Sequence, residues 1–117
     1  MQNDRKDNAL RESLRDLIGR NVVLDTSGQI LYLGRLADVD QTGIWLEHAD
    51  VHDCSEGHAG KEFYTIESAH YGIRVNRARV FVLHSSVISI SALDDIVADI
   101  SEDRDWWSPS KRPDEEA

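Results

Sequence analysis

The sequence predicts a mainly β protein: five short strands bent strongly into a small barrel, an α-helix before them and a short helix after. Three observations predict it. Residues 21–49 alternate apolar strand runs with two tight-turn signals. A lone glycine, Gly34, interrupts the longest run at its middle. Two apolar runs, residues 80–83 and 87–90, stand late in the chain with three residues between them.

Size and charge agree with one compact domain. The chain has 117 residues, 40% hydrophobic and 30% charged, which suits one modest core. No apolar run is long enough for a membrane helix, and the polar start MQNDRKDNAL predicts no secretory signal. The single cysteine, Cys54, excludes an intrachain disulfide. A cytoplasmic protein with no membrane partner is expected. Net charge is −9, and residues 94–117 carry nine acids against three bases. The domain is therefore predicted over residues 1–100, with an excursion at 50–79, followed by an acidic tail at 101–117.

The elements follow in order. Leu10, Leu14, Leu17 and Ile18 recur at helical spacing, Asp7 or Asn8 can cap the start, and Gly19 is a stop signal. A helix over residues 9–18 is expected to cover one end of the barrel. Val22, Val23 and Leu24 form the first strand, and Thr26-Ser27-Gly28 the first turn. The second strand runs from Ile30 to Val39. Glycine inside a strand marks a bend, a bulge or a close backbone approach. At Gly34 it predicts a strand serving two walls of the barrel. Asp40-Gln41-Thr42-Gly43 is the second turn. In the third strand, alternation puts Ile44, Leu46 and His48 on one face and Trp45, Glu47 and Ala49 on the other.

Residues 50–62 are polar and glycine-containing, which predicts a loop. Phe63 to Ile66 predicts a returning strand, and Asn76 to Arg79 a second polar connection. Val80, Phe81, Val82 and Leu83 are apolar at every position, so both faces of that strand need cover. Val87, Ile88 and Ile90 mark the last strand. Edge strands of this kind are templates for pairing with another chain. These seven residues are the expected oligomer interface. Ser91 with Asp94 and Asp95 resembles a helix start, and Leu93, Ile96, Val97 and Ile100 give a short stripe.

This pattern resembles the Sm-like family, which includes the spliceosomal Sm proteins and the bacterial RNA chaperone Hfq. The matching residues are the leucines of the first helix, then Val22, Leu24, Gly28, Leu31, Gly34, Leu36, Asp40, Ile44 and Leu46. VLHSSVISI at 82–90 stands where the second motif belongs. The resemblance implies a bacterial-type member with an N-terminal helix, five strongly bent strands and a ring. In such rings the fourth strand of one subunit pairs with the fifth of the next. It also implies a uracil pocket, with an aspartate, a stacking residue and an asparagine in the turn before the third strand. Here Asp40 is kept, Thr42 stands in that turn and Gly43 falls where the asparagine belongs. The second motif of the family carries Arg-Gly or Lys-His, and this chain has His84-Ser85. Single-stranded RNA is read by stacking and by hydrogen bonds to base edges. Thr42 and Gly43 offer no ring to stack on a base, and Gly43 no side chain in the asparagine's place, so the pocket is degraded.

Other candidates are weighed beside it. Arg74, Arg77 and Arg79, followed by His84, form the one basic cluster of the sequence. They are phosphate ligands on one reading and a solvated connection, which is preferred, on the other. His52, Cys54, His58 and His70 have the atoms for Zn²⁺, but the spacing matches no familiar zinc site. Surface histidines and an inert thiol are the plainer reading, and no cofactor is expected. No catalytic motif is present, and His84 beside Ser85 would point to opposite faces of a strand. Trp106 and Trp107 either fold back or engage another protein, and folding back is favoured. The expectation is a non-enzymatic, self-associating binding module, with single-stranded RNA as partner. The alternative is a protein-interaction scaffold that binds no RNA.

Overall fold

The computed structural model describes residues 12–56 and 60–97. Its frame is one five-stranded antiparallel sheet: β1 (Asn21–Thr26), β2 (Ile30–Val39), β3 (Gly43–Asp53), β4 (Arg77–Leu83) and β5 (Val87–Ala92). The strand order is β4-β3-β2-β1-β5. With a helical N-terminal segment, this is the Sm-like architecture that the sequence resemblance implied. The two motif turns fall where expected. Thr26 closes the first by donating from Oγ1 to the Ile30 carbonyl at 2.6 Å.

Gly34 explains the bend. It faces Ala49 across the β2–β3 pair, and a Cβ built on it would lie 3.1 Å from the Ala49 Cα and 3.2 Å from the Glu47 carbonyl oxygen. The register slips there: Leu33 opposes Asp50, while Arg35 opposes Glu47. The extra residue is His48, whose φ of 50° makes it the one non-glycine with positive φ among the described residues. This β-bulge corrects the expected faces of β3. Ile44 and Leu46 point inward, His48 is exposed, and Ala49 takes the inward place. Beyond the bulge the phase is inverted, because an extra residue shifts every later side chain to the other face. Asp50 and His52 therefore lie outside the barrel.

The bulge matters because β3 is longer than the sequence suggested. Residues 50–53, expected as loop, continue the strand to Asp53. The expected strand at Phe63 to Ile66 is instead the middle of an α-helix, α2 (Lys61–Tyr71); α1 denotes the N-terminal helix. Aromatic and β-branched residues suggested a strand, but tertiary context decided otherwise. Gly60 and Gly72 bound the helix, and Gly72 adopts φ 105°, a C-terminal stop suited to glycine.

Two cores result. The inner one holds Val22, Leu24, Leu36, Val39, Ile44, Leu46, Ala49 and Val82. The outer one holds Val23, Leu31, Leu33, Cys54, Tyr64 and Leu93. β1 is consequently buried on both faces, which accounts for its unbroken Val-Val-Leu run. The described part of α1 spans residues 12–14 and tightens into a 3₁₀ turn, Arg15–Leu17. Leu14, Leu17 and Ile18 pack on the inner core, and Gly19 ends the segment at φ 91°. Leu10 lies outside the described residues. The short C-terminal helix is realised as one 3₁₀ turn, Leu93–Asp95. It stops because Ile96 is extended (φ −68°, ψ 124°), while Asp94 and Asp95 turn outward to Arg20 at 2.7 and 3.8 Å. No described helix is long and apolar enough to cross a membrane.

Candidate functional site

The β2–β3 turn is built by Asp40. Its Oδ1 accepts from the Thr42 amide at 2.7 Å and the Gly43 amide at 3.0 Å, and its own amide donates to the Gly43 carbonyl at 3.0 Å. The side chain thereby folds the turn on itself, as Asp does when it substitutes for a backbone acceptor. The 3₁₀ turn His84–Ser86 between β4 and β5 is clamped against it. The His84 amide donates to the Thr42 carbonyl at 3.0 Å, and the His84 Nε2 lies 2.7 Å from the Asp40 carbonyl. A carbonyl oxygen can only accept, so Nε2 carries the proton and Nδ1 is left as acceptor in the neutral ring.

Four predicted residues, Asp40, Thr42, Gly43 and His84, are thus brought together from two turns 44 positions apart, with Ser85 beside them and exposed. Gly43 is closely enclosed by its neighbours on β4. A Cβ there would lie 2.4 Å from the Val82 carbonyl oxygen and 2.8 Å from the Phe81 ring. No side chain fits at this position on this backbone. The site offers hydrogen bonds from Thr42, Ser85 and His84, and its one ring is the His84 imidazole, held against the Asp40 carbonyl.

The arginines are elsewhere. Arg77 and Arg79 pair with Ala49 and Glu47 on β3, at the opposite end of β4 from His84. His84 is five residue steps beyond Arg79 along the chain, roughly 16 Å if extended. Arg79 sits 4.3 Å from the Trp45 ring centroid, and Trp45 packs on Phe81 with centroids 4.8 Å apart. Arg74 lies before β4, 5.8 Å from the Tyr64 ring centroid and 3.7 Å from Glu67. Arg77 donates from Nη1 to the Asn76 carbonyl at 3.1 Å. Trp45 and Phe81, with Arg79, form an aromatic–cation cluster on the outer face that sequence reasoning did not single out. Its signal was available: Trp45 occupies the outward phase of β3, across the strand pair from Phe81.

Among the seven expected interface residues, Val82 is buried within its own chain, whereas Leu83 and Ile88 are 49% and 64% exposed. Val80, Val87 and Ile90 are half-buried at the margin of the inner core, and Phe81 is half-buried on the outer face. β4 pairs within the chain with β3, and β5 with β1; among the described residues the far edges of both have no partner strand.

Of the metal candidates, His52 stacks on Tyr64 with centroids 3.6 Å apart, and Cys54 lies in the outer core. Burial pushes the Cys54 thiol up, which keeps it protonated and unreactive. His70 is at the far end of α2, edge-on to Tyr71. His58 lies outside the described residues. Among the described residues no group of three or more His, Cys, Asp or Glu side chains could hold a metal ion.

A buried polar knot holds α2. Asp50, 1% exposed, accepts from the Tyr64 hydroxyl at 2.5 Å and from the Asn76 side-chain amide at 2.9 Å. Asn76 in turn accepts from the Val51 amide at 3.0 Å and donates its own amide to the Ala49 carbonyl at 2.8 Å. Burial, then the bond to Asp50, pushes the Tyr64 hydroxyl well above the ordinary tyrosine range. Lys61 anchors the other end of α2 by donating to Asp25 and to the Thr26 carbonyl, both at 2.7 Å.

No family model matches the chain, and no curated protein matches it. Solved structures do. A Pyrococcus abyssii Sm protein in complex with a uridine heptamer is 13% identical, with 69% of this chain and 93% of that chain covered and a TM-score of 0.49. The P. aerophilum SmAP1 heptamer is 23% identical, covering 72% and 92%, at 0.48. A chain of the NatC complex bound to Gag peptide and CoA is 22% identical, covering 66% and 86%, at 0.45. The fold stands on its own strand order and register rather than on these scores.

Proposed function

We propose that this chain is a non-enzymatic Sm-like binding module that self-associates edge to edge, β4 of one copy against β5 of the next, until the ring closes. The observation that carries it is the pair of open sheet edges bearing Leu83 and Ile88. An unpaired edge with exposed apolar side chains is a template for another strand. A head-to-tail contact between two different edges closes into a ring when the rotation allows it. The half-buried Val80, Val87 and Ile90 would complete the inner core at each junction.

The ligand of such a ring is single-stranded RNA at the paired turns, Asp40, Thr42 and Gly43 with His84 and Ser85. Arg74, Arg77 and Arg79 supply phosphate contacts. The uridine-reading function of that pocket is degraded, since the β2–β3 turn, Asp40 to Gly43, carries no ring to stack on a base. A second reading, a protein-interaction scaffold without RNA, is favoured by the barred side chain at Gly43 and by the net charge of −9.

Light scattering tests assembly. Leu83→Lys combined with Ile88→Lys should give a folded monomer, because both side chains are exposed in the single chain. Val82 is unsuitable for this purpose, since it belongs to the inner core. An unmodified protein that runs as a monomer refutes the ring. RNA titration at two salt concentrations then separates the two readings. Salt-sensitive binding that is lost when Arg74, Arg77 and Arg79 become Ala supports RNA. Absence of binding by the assembled ring supports the scaffold.

A further inference from the structure

Beside α2, away from the paired turns and the open edges, lies a groove of about 300 Å³ between the C-terminal end of the helix, the start of β1 and the turn after β5. Ser68, Ala69, Gly72, Ile73 and Leu93 form its walls, and Arg20 and Asp94 its rim. Ser68, 4% exposed, is the buried polar residue of the lining. Ile73 and Leu93 supply apolar surface; at the mouth Arg20 is paired with Asp94 and Asp95, and Arg74, in a small adjoining cleft that shares Ser68 and Gly72, is paired with Glu67.

We propose that the groove is the docking site of this chain's own C-terminal segment, with the Trp106–Trp107 pair as its occupant. Two features of the molecule select that occupant. The described chain ends at Val97, three residues past Asp94 on the rim, and 20 residues follow. Trp106 is nine residues beyond Val97, a reach of up to about 30 Å, ample to return to the groove. Indole also matches the lining: a large apolar body for Ile73 and Leu93, and one N–H donor for the Ser68 oxygen.

The full-length chain with Trp45→Phe tests this, because Trp106 and Trp107 are then its sole indoles. Acrylamide quenching of their emission should be several-fold weaker than in the urea-unfolded chain, and independent of protein concentration. Ala69→Glu, which sets bulk and a charge like that of the tail at an exposed helical position on the groove wall, should restore full quenching while circular dichroism stays unchanged. Quenching equal to that of the unfolded chain overturns the proposal, as does protection that Ala69→Glu leaves intact. Protection that disappears on dilution overturns it too, since the occupant would then come from a second copy. Deuterium uptake gives a readout that needs no change in the groove. Trp106→Ala with Trp107→Ala should raise exchange several-fold over residues 66–75, and unchanged uptake contradicts docking.

Discussion

Tyr64→Phe isolates the knot that holds α2 to the barrel. The substitution keeps the ring and its packing in the outer core and removes one hydroxyl. Asp50 keeps its bond from Asn76 but loses the Tyr64 donor, while remaining 1% exposed. A hydrogen bond to a charged group contributes about 1.5–3 kcal/mol, and the buried acceptor left behind cannot turn to water. For a domain of this size each kcal/mol moves the melting temperature by about 4–8 °C, so a fall of roughly 6–24 °C is expected. Thermal melts followed by circular dichroism measure it. The pH dependence supplies a second check. The folded state holds the Tyr64 proton above the ordinary value of 10.0, whereas the unfolded chain releases it near there. The Tyr64 contribution is fully present below pH 10 and is lost as pH rises further. The gap between the unmodified protein and Tyr64→Phe should therefore narrow above pH 10. A loss below about 0.5 kcal/mol, within the range of ordinary surface substitutions, would refute the argument. So would a gap of constant size from pH 8 to pH 11.

Substitutions at three further positions test the backbone reasoning. Gly43→Ala should destabilise more than Gly34→Ala, since the added carbon meets the Val82 carbonyl at 2.4 Å in the first case and Ala49 at 3.1 Å in the second. Overpacking at Gly34 should cost about 1–3 kcal/mol by urea titration. Gly43→Asn, which restores the residue type of the family pattern, should lower stability without creating oligouridine affinity; a gain measured by fluorescence anisotropy would contradict the steric argument. His48→Val should cost about 1–2 kcal/mol because a β-branched residue resists positive φ, whereas His48→Asn should be close to neutral in the same titration.

Much of the frame was legible in the sequence because its signals are local. The turns at Thr26-Ser27-Gly28 and Asp40 to Gly43 are written in turn chemistry. Gly34 marks its bend through the absence of a side chain. The paired turns of the candidate site followed from the two motifs, because strand order alone carries His84 to Asp40. The outer lobe was not legible for reasons that are equally physical. Phe63 to Ile66 has strand-like composition, and nothing within four residues reveals that it packs on Val23, Leu31 and Leu33 from distant strands. The bounding glycines, Gly60 and Gly72, were the available hint. The bulge at His48 was hidden because histidine is an ordinary strand residue. Alternation was extrapolated through it, which put Ala49 on the wrong face. The arginines seemed to be neighbours of His84 because they are close in sequence, but an extended strand carries them away from it.

The division into two apolar clusters sharing β1 and β2 as a common wall has a consequence for how the molecule comes apart. Detaching α2 needs the Asp50 knot and the Lys61 anchor to break, yet leaves Leu24, Leu36, Ile44 and Leu46 enclosed on the opposite side. Opening from the interior cluster exposes both sides of β1 at once. Native-state exchange should therefore resolve two cooperative units, with the helix amides released at a lower free energy than the amides of β1 and β2.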